Sequence, residues 1–144
     1  MTQNQGKILA IDYGMAAIGL AVSDVGRLMA FSRGVLKDKQ RGQAKELILN
    51  LIDSEQVKLV ILGIPLAADG QETAQTAKIR LFGEDLRDDL ESRGVVLEYV
   101  DESFSTFEAN KMLKELGVKP NERKNTEDEL AAVVLIHRYI DFRP

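Results

Sequence analysis

Three acidic positions, far apart in sequence, stand where a carboxylate could do chemistry. Asp12 ends the apolar run Lys7–Asp12 (KILAID) and is followed by Tyr13-Gly14. The C-terminal end of a buried strand is where α/β sheets place ligands, although an Asp there can also simply cap a turn. Asp101-Glu102 closes a later apolar run, Val95–Val100 (VVLEYV), where the acids could equally favour the N-terminus of a following helix. Asp128 precedes a helical stripe of Ala132, Leu135, Ile136 and Tyr139 at +4, +7, +8 and +11, so it shares the face that must pack on a sheet. A carboxylate on that face is costly unless it is paired or holds a metal. The plainer alternative is a first-turn acid favoured by the helix dipole, which suits Glu127 and Glu129 better. The chain has no cysteine and one histidine, His137, which lies off the Asp128 stripe and is expected to be structural. Oxygen donors without Cys or multiple His suit Mg²⁺ or Mn²⁺. Two such ions about 4 Å apart can activate water and stabilise the leaving oxygen of a phosphodiester.

Such acids need a scaffold, and the hydrophobic rhythm supplies one. Lys7–Asp12, Gly19–Ser23 and roughly Leu28–Leu36 read as three strands in an antiparallel meander, with a turn at Asp24–Arg27. From near Lys39, Ala44, Leu47, Ile48, Leu51 and Ile52 form a helical stripe, followed by the buried strand Val57–Ile64 (VKLVILGI). The loop from Gly63-Ile64-Pro65-Leu66 to Asp69-Gly70 lacks a P-loop's Gly-Lys-Ser/Thr and reads as a connection. A second helix is expected over about Thr73–Ser92, its stripe drawn from Ala74, Ala77, Leu81, Leu86 and Leu90. After the fifth strand, Ser105 with Glu108 and Thr126 with Glu129 form capping boxes that open two last helices. The order β-β-β-α-β-α-β-α-α predicts an α/β fold, a mixed five-stranded sheet with helices on both faces, in the pattern of the ribonuclease H-like fold.

One domain over residues 1–144 is the simplest organisation, with no repeat or linker. No apolar run is long enough to span a membrane, and the polar start Met1–Gly6 lacks a signal peptide's pattern, so a cytoplasmic location is expected. The net charge of −4 argues mildly against nucleic acid. However, Glu84–Glu91 (EDLRDDLE) carries five acids and one arginine, so this single stretch matches the entire surplus. Two basic clusters counter it. Lys111, Lys114, Lys119, Arg123 and Lys124 precede the Asp128 helix and would border its site; Lys37, Lys39, Arg41 and Lys45 form the other. Solvated surface is the ordinary role for most of them.

Four blocks in order then resemble the YqgF family, also called RuvX, known as Holliday junction resolvases and pre-16S ribosomal RNA nucleases. They are Ile11-Asp12-Tyr13-Gly14 with Ile18–Val22, Gly63-Ile64-Pro65-Leu66 with Asp69-Gly70, Asp101-Glu102 with Ser105-Thr106 and Glu108-Ala109, and Asp128 with Ala131-Ala132. Arg80-Leu81-Phe82 matches the family's Arg–x–Phe. The resemblance implies a ribonuclease H-like nuclease using Mg²⁺ or Mn²⁺, with two ions expected. Asp12, Glu102 and Asp128 would be the metal-binding and catalytic acids. Tyr13, Gly14, Gly63, Pro65, Ser105 and Thr106 would lie along the substrate. Glu102 is favoured over Asp101 because an edge strand adds about 4.8 Å of reach. Two positions depart from the pattern. Met15-Ala16-Ala17 and Ser103 stand where the family usually carries basic residues, which removes positive charge near the scissile phosphate.

The expected partner is structured RNA or branched DNA, the product end a 5′-phosphate, and the protein a monomer or homodimer. Two other readings stay open: a non-catalytic nucleic-acid or ribosome-assembly factor on the same fold, and a phosphotransferase of the actin–sugar kinase type, for which 144 residues leave no second lobe.

Overall fold

A computed structural model of the chain describes residues 6–66, 69–102, 111, 114–115 and 123–141, with the side chains of 123–128 outside that description. Five strands form one sheet: β1 (Lys7–Tyr13), β2 (Ala17–Ser23), β3 (Ala30–Lys37), β4 (Val57–Ile64) and β5 (Val96–Asp101). Their order is β3-β2-β1-β4-β5. β1–β2 and β2–β3 are antiparallel; β1–β4 and β4–β5 are parallel. This is the mixed sheet that the sequence predicts.

Helices cover both faces. On one side lie α1 (Lys39–Gly42), α2 (Ala44–Glu55) and α3 (Ala74–Glu91); on the other lies α4 (Arg123–Asp141). Strand parity assigns the side chains. In β1, Leu9 and Ile11 enter the α2–α3 core, whereas Ile8 and Ala10 enter the α4 core. Because β1 is buried on both faces, it reads as a continuous apolar run rather than an alternation. Helix α4 packs across β2, β3 and β1 through Ala132, Leu135, Ile136 and Tyr139, all buried. The predicted stripe is therefore the packed face.

Three expectations need correction. The buried stripe of α3 is Thr76, Ile79, Gly83, Leu86 and Leu90, not the predicted line through Ala74, Ala77 and Leu81. Leu81 is 72% exposed. Two polar details set this phase. The Thr76 hydroxyl donates to the Pro65 carbonyl at 2.6 Å while also completing the N-cap with Thr73. Gly83 leaves room for Tyr99, whose hydroxyl would stand 2.5 Å from a Cβ there. The second correction is a break near Gln43, which separates α1 from α2 where one helix was expected. Third, α4 begins at Arg123, so Thr126 lies inside the helix rather than at its cap. The Ser105–Glu108 capping box lies outside the described residues.

Candidate active site

Three adjacent strands end together at one edge of the sheet, and parity puts a particular residue of each on the α4 side. Asp12 follows Ile8 and Ala10 on that face of β1. Gly63 follows Leu59 and Ile61 on β4. Glu102 follows Glu98 and Val100 one residue beyond β5; the Tyr139 hydroxyl of α4 donates to Glu98 Oε2 at 2.8 Å. The register brings these positions into line, with Ile11 beside Leu62 and Gly63 beside Val100. The Glu102 N–H donates to the Ile64 carbonyl at 3.0 Å, which extends the ladder and fixes where its side chain departs.

Two strand spacings, roughly 10 Å, separate β1 from β5. The carboxylates of Asp12 and Glu102 nevertheless meet in a hydrogen bond. Gly63 makes this possible. A Cβ at position 63 would stand 2.9 Å from Glu102 Oε2 and 2.8 Å from Leu135 Cδ1. The middle strand thus has no side chain where Glu102 reaches across it to Asp12. Asp101 has the opposite parity and is exposed.

Burial pushes the Glu102 carboxyl up to about 9, and the Asp12 carboxylate beside it adds to the shift through their hydrogen bond and charge. Two carboxylates in contact cannot both ionise readily, so one keeps its proton unless a cation replaces it. Such a pair suits a hard divalent ion in donor type and charge. No cluster of three His, Cys, Asp or Glu gathers among the described residues. Asp128 lies in α4, about two turns before the Leu135 that covers Gly63, and its side chain is outside the description.

The other predicted site residues divide. Gly14 makes the tight β1–β2 connection: its N–H donates to the Ala17 carbonyl at 2.9 Å, and a Cβ would crowd that oxygen at 2.7 Å. Tyr13 points to the opposite sheet face, where its ring meets Phe82 at 4.6 Å and the Arg41 guanidinium at 4.7 Å. Pro65 serves the fold by accepting from Thr76. Lys111 and Lys114 are exposed, and Arg123 and Lys124 open α4. Ser105, Thr106 and Lys119 lie outside the described residues. Of Arg80-Leu81-Phe82, Arg80 pairs with Glu72 and stacks over Tyr99, while Phe82 supports Tyr13. Sequence reasoning missed Lys78, which shares a cleft with Tyr13 and Arg41. Nothing in the local pattern marks it, because the residues that meet it come from distant segments.

Similarity to known proteins extends over nearly the whole chain. The model of the family RuvX, described as Holliday junction resolvase, matches residues 6–142. A Thermus thermophilus protein named "Putative pre-16S rRNA nuclease" is 37% identical over 134 residues, covering 93% of this chain and 96% of its own. A Dictyoglomus thermophilum protein of the same name is 33% identical over 135 residues, covering 94% and 95%. Among solved structures, Thermus thermophilus RuvC in complex with a Holliday junction substrate has the same fold, with a TM-score of 0.58 at 16% identity over 94% of this chain and 96% of that one. The yeast mitochondrial Holliday junction resolvase Ydc2 gives 0.54 at 12% identity, over 94% and 78%. No described helix is long and apolar enough to cross a membrane. The chain belongs to the RuvX (YqgF) family of nucleases.

Proposed function

We propose that this protein hydrolyses phosphodiester bonds in structured nucleic acid, with Asp12, Glu102 and Asp128 holding Mg²⁺ or Mn²⁺ at the C-terminal edge of the sheet. The observation that carries this reading is the Asp12–Glu102 pair meeting over Gly63, with Glu102 kept protonated in the absence of a cation. Deprotonated, the pair offers acceptor-only oxygens from two rigid strands. Asp128 would complete the set from α4, since a seven-residue step before Leu135 returns to about the same helix face. When bound, the ions supply Lewis-acid stabilisation of the phosphate and lower the pKa of water for in-line attack. Water adds to phosphorus, the P–O3′ bond breaks, and the products carry a 5′-phosphate and a 3′-hydroxyl.

The names of the relatives favour pre-16S ribosomal RNA as substrate, with branched DNA as the alternative, and with either substrate the protein would work in the cytoplasm. The test is cleavage of a pre-16S-like RNA and a four-way DNA junction with Mg²⁺ or Mn²⁺, wild type against Asp12→Asn and Asp128→Asn. Metal-dependent cutting lost in both variants is expected. Equal cutting by all three, or binding without cutting, overturns the reading, and binding without cutting would favour an assembly factor.

A further inference from the structure

Residue 13 follows the first carboxylate yet belongs to the other side of the sheet. There a cleft of about 230 Å³ opens between the β1–β2 turn, α1 and the first turns of α3. Tyr13, Gly14, Met15, Arg41, Gln75 and Lys78 line it. In a chain with 23 acids and 19 Lys or Arg, this cleft holds two cations and no carboxylate. The turn itself, Met15-Ala16-Ala17, is uncharged, so the positive charge arrives from two helices that converge on it.

Arg41 is held in an unusual way. Its guanidinium stacks on the Tyr13 ring, which Phe82 supports on the α3 side. Its Nη1 is buried and has no hydrogen-bond partner among the described residues. A buried donor without a partner is costly; Arg41 lines the cleft, so a turn of its guanidinium would bring that donor to an oxygen-rich ligand there. Stacking leaves the N–H donors in the guanidinium plane, the geometry that forks onto a phosphate. The volume is below the ~300–1,000 Å³ of clefts that enclose drug-sized ligands, so a single phosphate with part of its sugar suits it better than a whole free nucleotide. Tyr13 and Asp12 are neighbours on β1. A nucleic-acid strand crossing this edge of the sheet would therefore meet the carboxylates on one side and the cleft on the other.

We infer that Arg41 and Lys78 hold a backbone phosphate flanking the one at Asp12 and Glu102, with Tyr13 as the platform that orients Arg41. This rests on the nuclease reading in taking nucleic acid as the ligand and in placing the neighbouring phosphate at Asp12 and Glu102. The cleft grips the substrate and takes no part in the bond-breaking step.

Fluorescence anisotropy of the full chain with a labelled RNA hairpin and a labelled four-way DNA junction tests it, in EDTA so that nothing is cut. Arg41→Gln and Lys78→Gln should each weaken binding about 5- to 10-fold and reduce the slope of log Kd against log salt by roughly one. Lys58→Gln, which removes a charge at the far end of β4, should change neither. Lys78 is exposed, so its replacement spares the packing. Arg41→Lys keeps the charge and should recover part of the affinity. A loss confined to RNA or to DNA supports the cleft and names its substrate. Unchanged Kd and slope in both Gln variants overturn the inference, as does a wild type that binds neither probe. A protein that binds through the cleft but never cuts keeps this inference and loses the nuclease reading. Cutting by Arg41→Gln and Lys78→Gln with unchanged KM does the reverse.

Discussion

At the edge of the sheet, Asp12 and Glu102 press against each other, and burial with the neighbouring charge raises Glu102 to about 9. On the outer side of α3 the situation is reversed. Glu84 is exposed, accepts a two-pronged Arg87 at 2.8 and 2.9 Å and the Tyr99 hydroxyl at 2.7 Å, and is lowered to about 2. Asp85 and Asp89 share Lys45 at 3.5 and 3.2 Å. Both regions are rich in carboxylates. The helix acids meet Arg87 of their own helix and Lys45 of α2 and need nothing further; the strand ends bring two carboxylates together with no cation paired to them among the described residues. A cluster of acids signals chemistry when the fold leaves its charge uncompensated, and merely surface when lysine and arginine already compensate it.

The sharpest way to break this contrast is to remove one acid from each region. Asp12→Asn should lower metal-dependent cleavage by at least about 10²–10³-fold, the scale of losing one group that stabilises transition-state charge. Glu84→Gln should leave the rate unchanged. Single-turnover assays under Mn²⁺ decide it, and a comparable loss in both variants would erase the distinction.

The next effect is on stability against pH. In the unfolded chain Glu102 titrates near its ordinary 4.5, and in the folded chain near 9. Between those values the folded state holds the extra proton, so raising the pH favours unfolding, by at most ~1.4 kcal/mol per pH unit. In EDTA the wild type should lose stability as pH rises from 5 to 9, while Glu102→Gln, which cannot ionise, should show a flatter profile. Mn²⁺ should flatten the wild-type curve as well, because the cation takes the proton's place. Denaturant melts at several pH values measure all three. A flat wild-type curve in EDTA would mean that the pair is solvated and ordinary.

Gly63→Ala tests the geometry rather than the charge. The new methyl would collide with Leu135 and with the Glu102 carboxylate. Overpacking of this kind costs about 1–3 kcal/mol, and it should also push Glu102 away from Asp12. Loss of both stability and cleavage is expected, whereas the exposed Gly42, which has nothing within 4 Å of a Cβ, should accept alanine with no loss of either. Thermal melts and initial rates check the pair.

The sheet was legible because its strands carry long apolar runs and its crossovers leave few arrangements. The carboxylates at the strand ends were legible because each closes an apolar run, and Glu102 was preferred to Asp101 on reach; strand parity, seen once the register is known, gives the same choice. The phase of α3 was not, because the residues that set it are Thr76 and Gly83, which a hydrophobic pattern counts as outside. Thr76 gives its hydroxyl to the Pro65 carbonyl, and Gly83 lies against Tyr99 and Leu62. The part played by Gly63 was hidden in the same way. A glycine ending an apolar strand resembles a turn until the two side chains that reach over it are seen. The cleft at Tyr13 depends on Arg41 and Lys78 arriving from separate helices, and no local spacing records that meeting.

The smallest effect belongs to the helix and has the opposite sign. Glu84 lies below its ordinary 4.5, chiefly because Arg87 and Tyr99 donate to it. Its contribution is therefore present above pH 4.5 and disappears as the pH falls toward 2, where the folded and unfolded chains both hold the proton. The group is exposed, so solvent and salt screen most of it. Glu84→Gln should lower the melting temperature only slightly at pH 7, less so in high salt, and not at all near pH 2. Its pH difference curve should run against that of Glu102→Gln: one variant loses stability relative to wild type above pH 4.5, the other gains it as pH climbs toward 9. Measured side by side in EDTA, two curves of the same sign would show that the acids of the strand ends are compensated like those of the helix, and the case for a cation at the sheet edge would fall with them.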